Sequence, residues 1–211
     1  MGNRSVHIAD YLKTAYIDFV LSRFGNEVII GHEVMYGTSG RIADLVLLYK
    51  GDTYAVEIKS DSDSLNRIDG QVQEYQKLFN YVVVVCGEKY KQQLKQRLPK
   101  NVGLYLVNAD ASISELQKPK KKTRLDKDEM LFSVKTSYLT KIADFPTAHI
   151  GADAIRNQFA KKRTSYVQEI LYEYWRSRMS PAFSCFLSDR GIQTLPIDLA
   201  NFSSYRVIPA F

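Results

Sequence analysis

Glu33–Gln76 reads EVMYGTSGRIADLVLLYKGDTYAVEIKSDSDSLNRIDGQVQEYQ, and the pairing of its middle decides the fold. Two apolar runs, Ile42–Tyr49 and Thr53–Lys59, flank the turn signal Lys50-Gly51-Asp52, which predicts a β-hairpin. With Lys50 and Gly51 as the two turn residues, Tyr49 opposes Asp52, and counting outward sets Asp44 across from Glu57. Directly opposed Cβ atoms lie about 4.5–5.5 Å apart, a spacing at which two carboxylates can grip one divalent cation. Lys59, two residues beyond Glu57, points to the same side. A slip of one residue would send the carboxylates to opposite faces, so the expectation depends on that register.

The rest of the hairpin makes these three residues unusual. Leu45, Leu47 and Tyr49, with Tyr54, Val56 and Ile58, form one apolar face, while Val46, Leu48 and Ala55 continue the other. A strand apolar on both faces is central and covered. Ionised side chains at the end of such a pair are costly to desolvate unless paired or metal-bound. The bland alternative is a buried salt-bridged triad without activity; the register of Asp44 and the helix that follows favour a site.

Asp44 with Glu57-x-Lys59 resembles the signature of the PD-(D/E)XK nuclease superfamily, although Ala43 stands where the family's usual proline precedes the first Asp. Gln71-x-x-x-Tyr75 resembles the Q-x-x-x-Y motif on the following helix in the RecB-like exonuclease branch. EIKSDSD, followed by Leu65, Arg67, Gln71 and Tyr75, is further similar to a small, largely uncharacterised bacterial family in that superfamily. The resemblance spans residues 6–108. It implies an α/β, restriction-endonuclease-like core with a mixed, mostly five-stranded sheet flanked by helices. It also implies a nuclease hydrolysing phosphodiester bonds, with DNA expected ahead of RNA. Asp44 and Glu57 would hold Mg²⁺, with Mn²⁺ as substitute and the Ile58 carbonyl as a backbone ligand. Oxygen ligands suit Mg²⁺, and the sequence offers no His/Cys spacing for zinc. The ion would activate water and polarise the phosphate. Lys59 would orient the water and stabilise pentacovalent charge, Gln71 would hold substrate or water, and Tyr75 would support Gln71. Glu33 is the candidate for a further acidic ligand, with Asp18 as its rival; His32 reads as structural.

Around this stretch, Val6–Arg23 carries apolar residues at helical spacing, and Glu27–Met35 reads as a strand. Leu65–Phe79 is an amphipathic helix in which Gln71 and Tyr75, four apart, share a face. Arg67, one turn earlier, is placed to reach a phosphate. Tyr81–Cys86 is a buried strand, Tyr90–Leu98 a short helix and Gly103–Val107 a further strand. Helices between strands predict a sheet covered on both sides.

The composition shifts at residue 114, which gives a core over 1–113, a basic linker over 114–129 and a helical extension over 130–211 packing on the core. Pro119 breaks any helix there. Met130–Ile142, Ala152–Phe159 and Tyr166–Met179 read as helices, and the closing PIDLANFSSYRVIPAF as a short strand or extended tail. Lys161, Lys162 and Arg163 head the extension's basic residues and are candidate phosphate contacts.

The chain has 211 residues and net charge +6, with 45% hydrophobic and 25% charged residues, an ordinary globular composition that favours a polyanionic partner only weakly. No apolar run nears the roughly 20 residues of a membrane span, and neither a signal peptide nor a myristoylation pattern opens the chain. Cys86 and Cys185 read as buried thiols, and the expected compartment is the cytoplasm. The competing function class is a catalytically silent nuclease-like module that binds nucleic acid or a partner protein, for example in a defence or mobile-element system.

Overall fold

The computed structural model describes residues 8–202. Its chain order is α1 (Ile8–Phe24), β1 (Ile29–Tyr36), β2 (Arg41–Tyr49), β3 (Asp52–Lys59), α2 (Ile68–Leu78), β4 (Tyr81–Cys86), α3 (Lys91–Arg97), β5 (Gly103–Val107) and β6 (Ile113–Gln117). Then follow α4 (Lys127–Phe132), α5 (Thr136–Ile142), α6 (Ala152–Ala160), α7 (Thr164–Asp189) and α8 (Asp198–Phe202). The described strands form one six-stranded mixed sheet in the order β1-β2-β3-β4-β5-β6. β1, β2 and β3 are antiparallel, β3, β4 and β5 parallel, and β6 antiparallel to β5. The parallel pairs are those separated by α2 and α3, as crossover connections require.

The hairpin has the expected register, from Tyr49–Asp52 to Leu45–Val56. Lys50 and Gly51 both take positive φ, 49° and 83°, which matches a two-residue turn whose twist suits the strands. Regular pairing stops one pair short of Asp44 and Glu57. The cause lies in β1 and β2 together. Ile30, Leu45 and Leu47 join the core on the α1 side of the sheet, whereas Val34, Tyr36 and Ala43 join the core on the α2 side. Strict alternation would keep Ala43 with Leu45. Both strands therefore turn over between the pairs His32–Leu45 and Val34–Ala43, and the residues at the crossover are Asp44 and Glu33, the latter at φ 52°.

Two cores lie on the two sides. α2 and the α3–α7 helices cover one, with Val46, Leu48, Ala55, Val82 and Val84 beneath. α1 covers the other over Val56, Ile58, Val83 and Val85, joined by Phe183 and Phe186 of α7 and Phe202 of α8. α7 thus serves both. Trp175 stacks on Phe79 with ring centroids 5.2 Å apart, and Phe186 stacks on Phe202 at 4.2 Å. Where α7 crosses β1 the backbone must be bare: a Cβ on Gly31 would stand 2.8 Å from Met179 Cε and 2.7 Å from Val34 Cγ2.

Several expectations change. The sheet gains β6, which occupies the start of the expected linker, so six strands replace five. Residues 118–126 form an extended strap rather than a free linker. Its Lys120, Lys122 and Asp126 amides donate to the carbonyls of Asn101, Asn80 and Lys77. Met130–Ile142 is two helices, and α7 runs ten residues past Met179, through Pro181. Cys86 is buried but Cys185 is exposed. Val6 and residues 203–211, parts of an expected helix and tail, lie outside the described residues. Among the described residues no helix is long and apolar enough to cross a membrane.

Candidate functional site

β3 ends by delivering two polar side chains into an otherwise apolar interior. Glu57 and Lys59 are 4% and 6% exposed, and Lys59 Nζ donates to Glu57 Oε1 at 2.8 Å. α2 supplies the remaining partners from one face. Gln71 Nε2 donates to the same oxygen at 2.6 Å and its Oε1 accepts from Lys59 at 3.2 Å. Tyr75, fully buried, donates its hydroxyl to Glu57 Oε2 at 2.6 Å. Helical spacing of four residues makes this bridging possible. Burial, followed by the charge of Glu57 and its hydrogen bond, holds the Tyr75 hydroxyl well above its usual pKa. It stays a donor.

Asp44 reaches the site at the crossover of β1 and β2. Its Oδ2 accepts the Ile58 N–H at 2.8 Å, so the side chain caps the backbone where the β2–β3 ladder ends. Burial first, and the charge of Glu57 second, push Asp44 up to about 6. Three influences oppose that rise, in order the Lys13 charge, the Ile58 N–H and the Lys59 charge. Two carboxylates in Coulombic reach, with oxygen donors throughout, suit a hard cation such as Mg²⁺ better than a soft one. Ile58 contributes its amide to Asp44.

Glu33 requires a correction. It stands opposite Asp44 by the β1–β2 register. Among the described residues, however, no three His, Cys, Asp or Glu side chains gather as a metal-holding group. The strand turns over at Glu33, which takes φ 52°. Asp18 is committed elsewhere, accepting from Arg190 at 2.7 Å and from the Thr194 hydroxyl at 2.6 Å.

Arg67 is exposed and immediately precedes α2, the helix that carries Gln71 and Tyr75. Lys161, Lys162 and Arg163 are not brought to the carboxylates. They form the α6–α7 junction, and α7 starts where Ser165 shares a surface pocket with Lys50 and Gly51. That is the turn end of β3, about 20 Å from Glu57 at the rise of an extended strand. Lys162 is also paired with Asp144 at 2.6 Å, and Lys161 donates to Gln158.

One residue of this neighbourhood escaped the sequence reading. Lys13 on α1 is 6% exposed and its Nζ lies 2.9 Å from Nε2 of buried His32. Lys13 precedes Ile17 by four residues and Val20 by seven, so it is a charge on the buried stripe of α1. That misfit was the available signal.

A family model described as Bacteriophage P4 protein cII matches residues 7–203. Protein cII of Enterobacteria phage P4 is 31% identical over 120 residues, 55% of this chain and 45% of that relative, so the match spans about half of each. Among solved structures, a protein of unknown function from Silicibacter pomeroyi has a TM-score of 0.45 at 16% identity, covering 90% of this chain and 99% of its own. An XisH family protein from Nostoc punctiforme has a TM-score of 0.33 at 15% identity, covering 52% and 99%.

Proposed function

The chain belongs to the bacteriophage P4 protein cII family, and from that premise we propose that this member of a phage protein family is a metal-dependent nuclease acting on nucleic acid, DNA ahead of RNA. One observation carries the reading. Asp44 accepts from the Ile58 N–H, next to Glu57, where the central strands end, and Lys59, Gln71 and Tyr75 all bond to Glu57.

The proposed roles follow from position. Asp44 and Glu57 hold Mg²⁺, with the Ile58 carbonyl beside them; Mn²⁺ substitutes. Once bound, the cation supplies Lewis acidity toward the phosphate and the attacking water. Lys59 offers a compact ammonium next to Glu57, suited to orienting water and stabilising the negative charge that grows on the phosphate. Gln71 carries both a donor and an acceptor and can exchange its bond to Glu57 for one to substrate or water. Tyr75 fixes the far oxygen of Glu57, which keeps the carboxylate plane from rotating as its other partners change. Arg67 supplies a phosphate contact from the start of α2.

A second reading has its own observation. Lys59, Gln71 and Tyr75 already satisfy both oxygens of Glu57, as expected of a silent nuclease-like module that binds nucleic acid or a partner. Cleavage of supercoiled, linear duplex and single-stranded DNA and of RNA, with and without Mg²⁺ or Mn²⁺, separates the two. The nuclease reading expects cation-dependent cleavage lost in both Asp44→Ala and Glu57→Ala, with folded variants. Binding without cleavage supports the silent module, and equal cleavage by both variants places the chemistry elsewhere.

A further inference from the structure

A buried ammonium needs a reason. Lys13 lies on the face of α1 that packs over the sheet, among Leu12, Tyr16, Ile17 and Val20, and its direct partner is Nε2 of His32. A His acceptor gives one hydrogen bond and no opposite charge, a weak return for burying an ammonium. The opposite charge comes from the next step of the sheet. His32 pairs with Leu45, the neighbour of Asp44, so Lys13 is held beside the crossover.

Resting on the nuclease reading above, we propose that Lys13 is a positioning residue of the site. From the α1 side of the sheet its ammonium offsets the charge of Asp44 through space, where Lys59 bonds Glu57 directly, and His32 fixes its place. Two carboxylates and two ammonium groups then carry no net charge in the cation-free protein. A divalent cation joining this set brings its full charge to bear on the phosphate, whose negative charge grows in the transition state. Without Lys13, one of the two carboxylates would spend its charge against the cation alone. The role therefore has an unusual signature: loss of Lys13 tightens cation binding while slowing cleavage.

The test uses the whole protein. Mn²⁺ binding is measured by calorimetry without nucleic acid, and kcat is measured at saturating Mn²⁺. Lys13→Met should bind Mn²⁺ about tenfold or more tightly, the scale of one nearby charge at an effective dielectric of about 20. Its kcat should fall by a comparable factor, and Lys13→Arg should restore both. Thermal melting checks the fold, and Lys13→Gln takes the place of the Met variant if that fails to fold. Unchanged or weaker Mn²⁺ binding in a folded variant overturns the role, since a purely structural Lys13 predicts loss of both properties. Wild type that binds Mn²⁺ and cleaves, beside a Lys13→Met variant that matches it, removes Lys13 alone. Wild type that neither binds Mn²⁺ nor cleaves overturns the site reading and the role together.

Discussion

Asp44→Asn should stabilise the cation-free protein at neutral pH and leave it unchanged in acid. Burial and the neighbouring Glu57 raise Asp44 to about 6 in the folded chain, against about 4 for a free Asp. The folded state therefore holds this proton more tightly than the unfolded chain does. The stability it contributes is fully present below about pH 4 and is lost as pH rises through about 6. Two units correspond to about 3 kcal/mol. Asp44 is only half-buried, so solvent screening trims this to about 1–3 kcal/mol. Asn keeps an acceptor for the Ile58 N–H and has no charge to desolvate. For a chain of this size each kcal/mol shifts Tm by about 2–4 °C, so the variant should melt roughly 3–10 °C higher near pH 8 and level with wild type near pH 4. Thermal melts of both proteins across that range are the assay. Mg²⁺ should raise the wild-type Tm at the upper end and narrow the gap, since a ligand bound only by the folded state stabilises it. A variant less stable near pH 8, or an offset independent of pH, would refute the reasoning.

Tyr75→Phe removes a 2.6 Å bond to a buried carboxylate and should cost about 1.5–3 kcal/mol in urea unfolding, with a smaller cost in the Glu57→Gln background. Gly31→Ala places a methyl 2.7–2.8 Å from Val34 and Met179. It should lower the urea midpoint by the equivalent of about 1–3 kcal/mol with the slope unchanged. Changing Lys161, Lys162 and Arg163 together to Gln should flatten the salt dependence of DNA binding in Ca²⁺ by about one to two phosphate equivalents. Lys162 is already neutralised by Asp144, which is why fewer than three are expected. An unchanged slope removes the extension from the proposed interface.

The parts of this fold that could be read in the sequence are those governed by short-range periodicity. β3, α2 and β4 are consecutive, and their strands alternate cleanly between two cores. The Lys50-Gly51 turn fixed the hairpin register, and four-residue spacing put Gln71 and Tyr75 on one face. β6 gave no such signal because Ile113–Gln117 is an edge strand of mixed, half-buried residues. The strap over 118–126 looked solvated because it is rich in lysine, whereas its backbone amides do the binding. The helix expected from the pattern stops at Met179, two residues before Pro181, a helix-breaking residue type. The proline is tolerated inside α7, whose Phe183 and Phe186 on the far side of it are buried in the second core.

The site divides along the same line. Glu57, Lys59, Gln71 and Tyr75 come from one β–α unit, so a motif announces them. Asp44 and Lys13 depend on β1, which is held from both sides by elements far away in sequence. Met179 of α7 presses on Gly31, and the ring of Phe202 stacks on His32 at 6.0 Å. The carboxyl-terminal helices are therefore not an appendage to a finished core. They fix the strand whose turn-over at Glu33 accompanies that of Asp44, and they bear on the ring that holds Lys13. A carboxylate raised to about 6 persists only where the surrounding packing prevents its escape to water. That packing is what the second half of the chain contributes to the first.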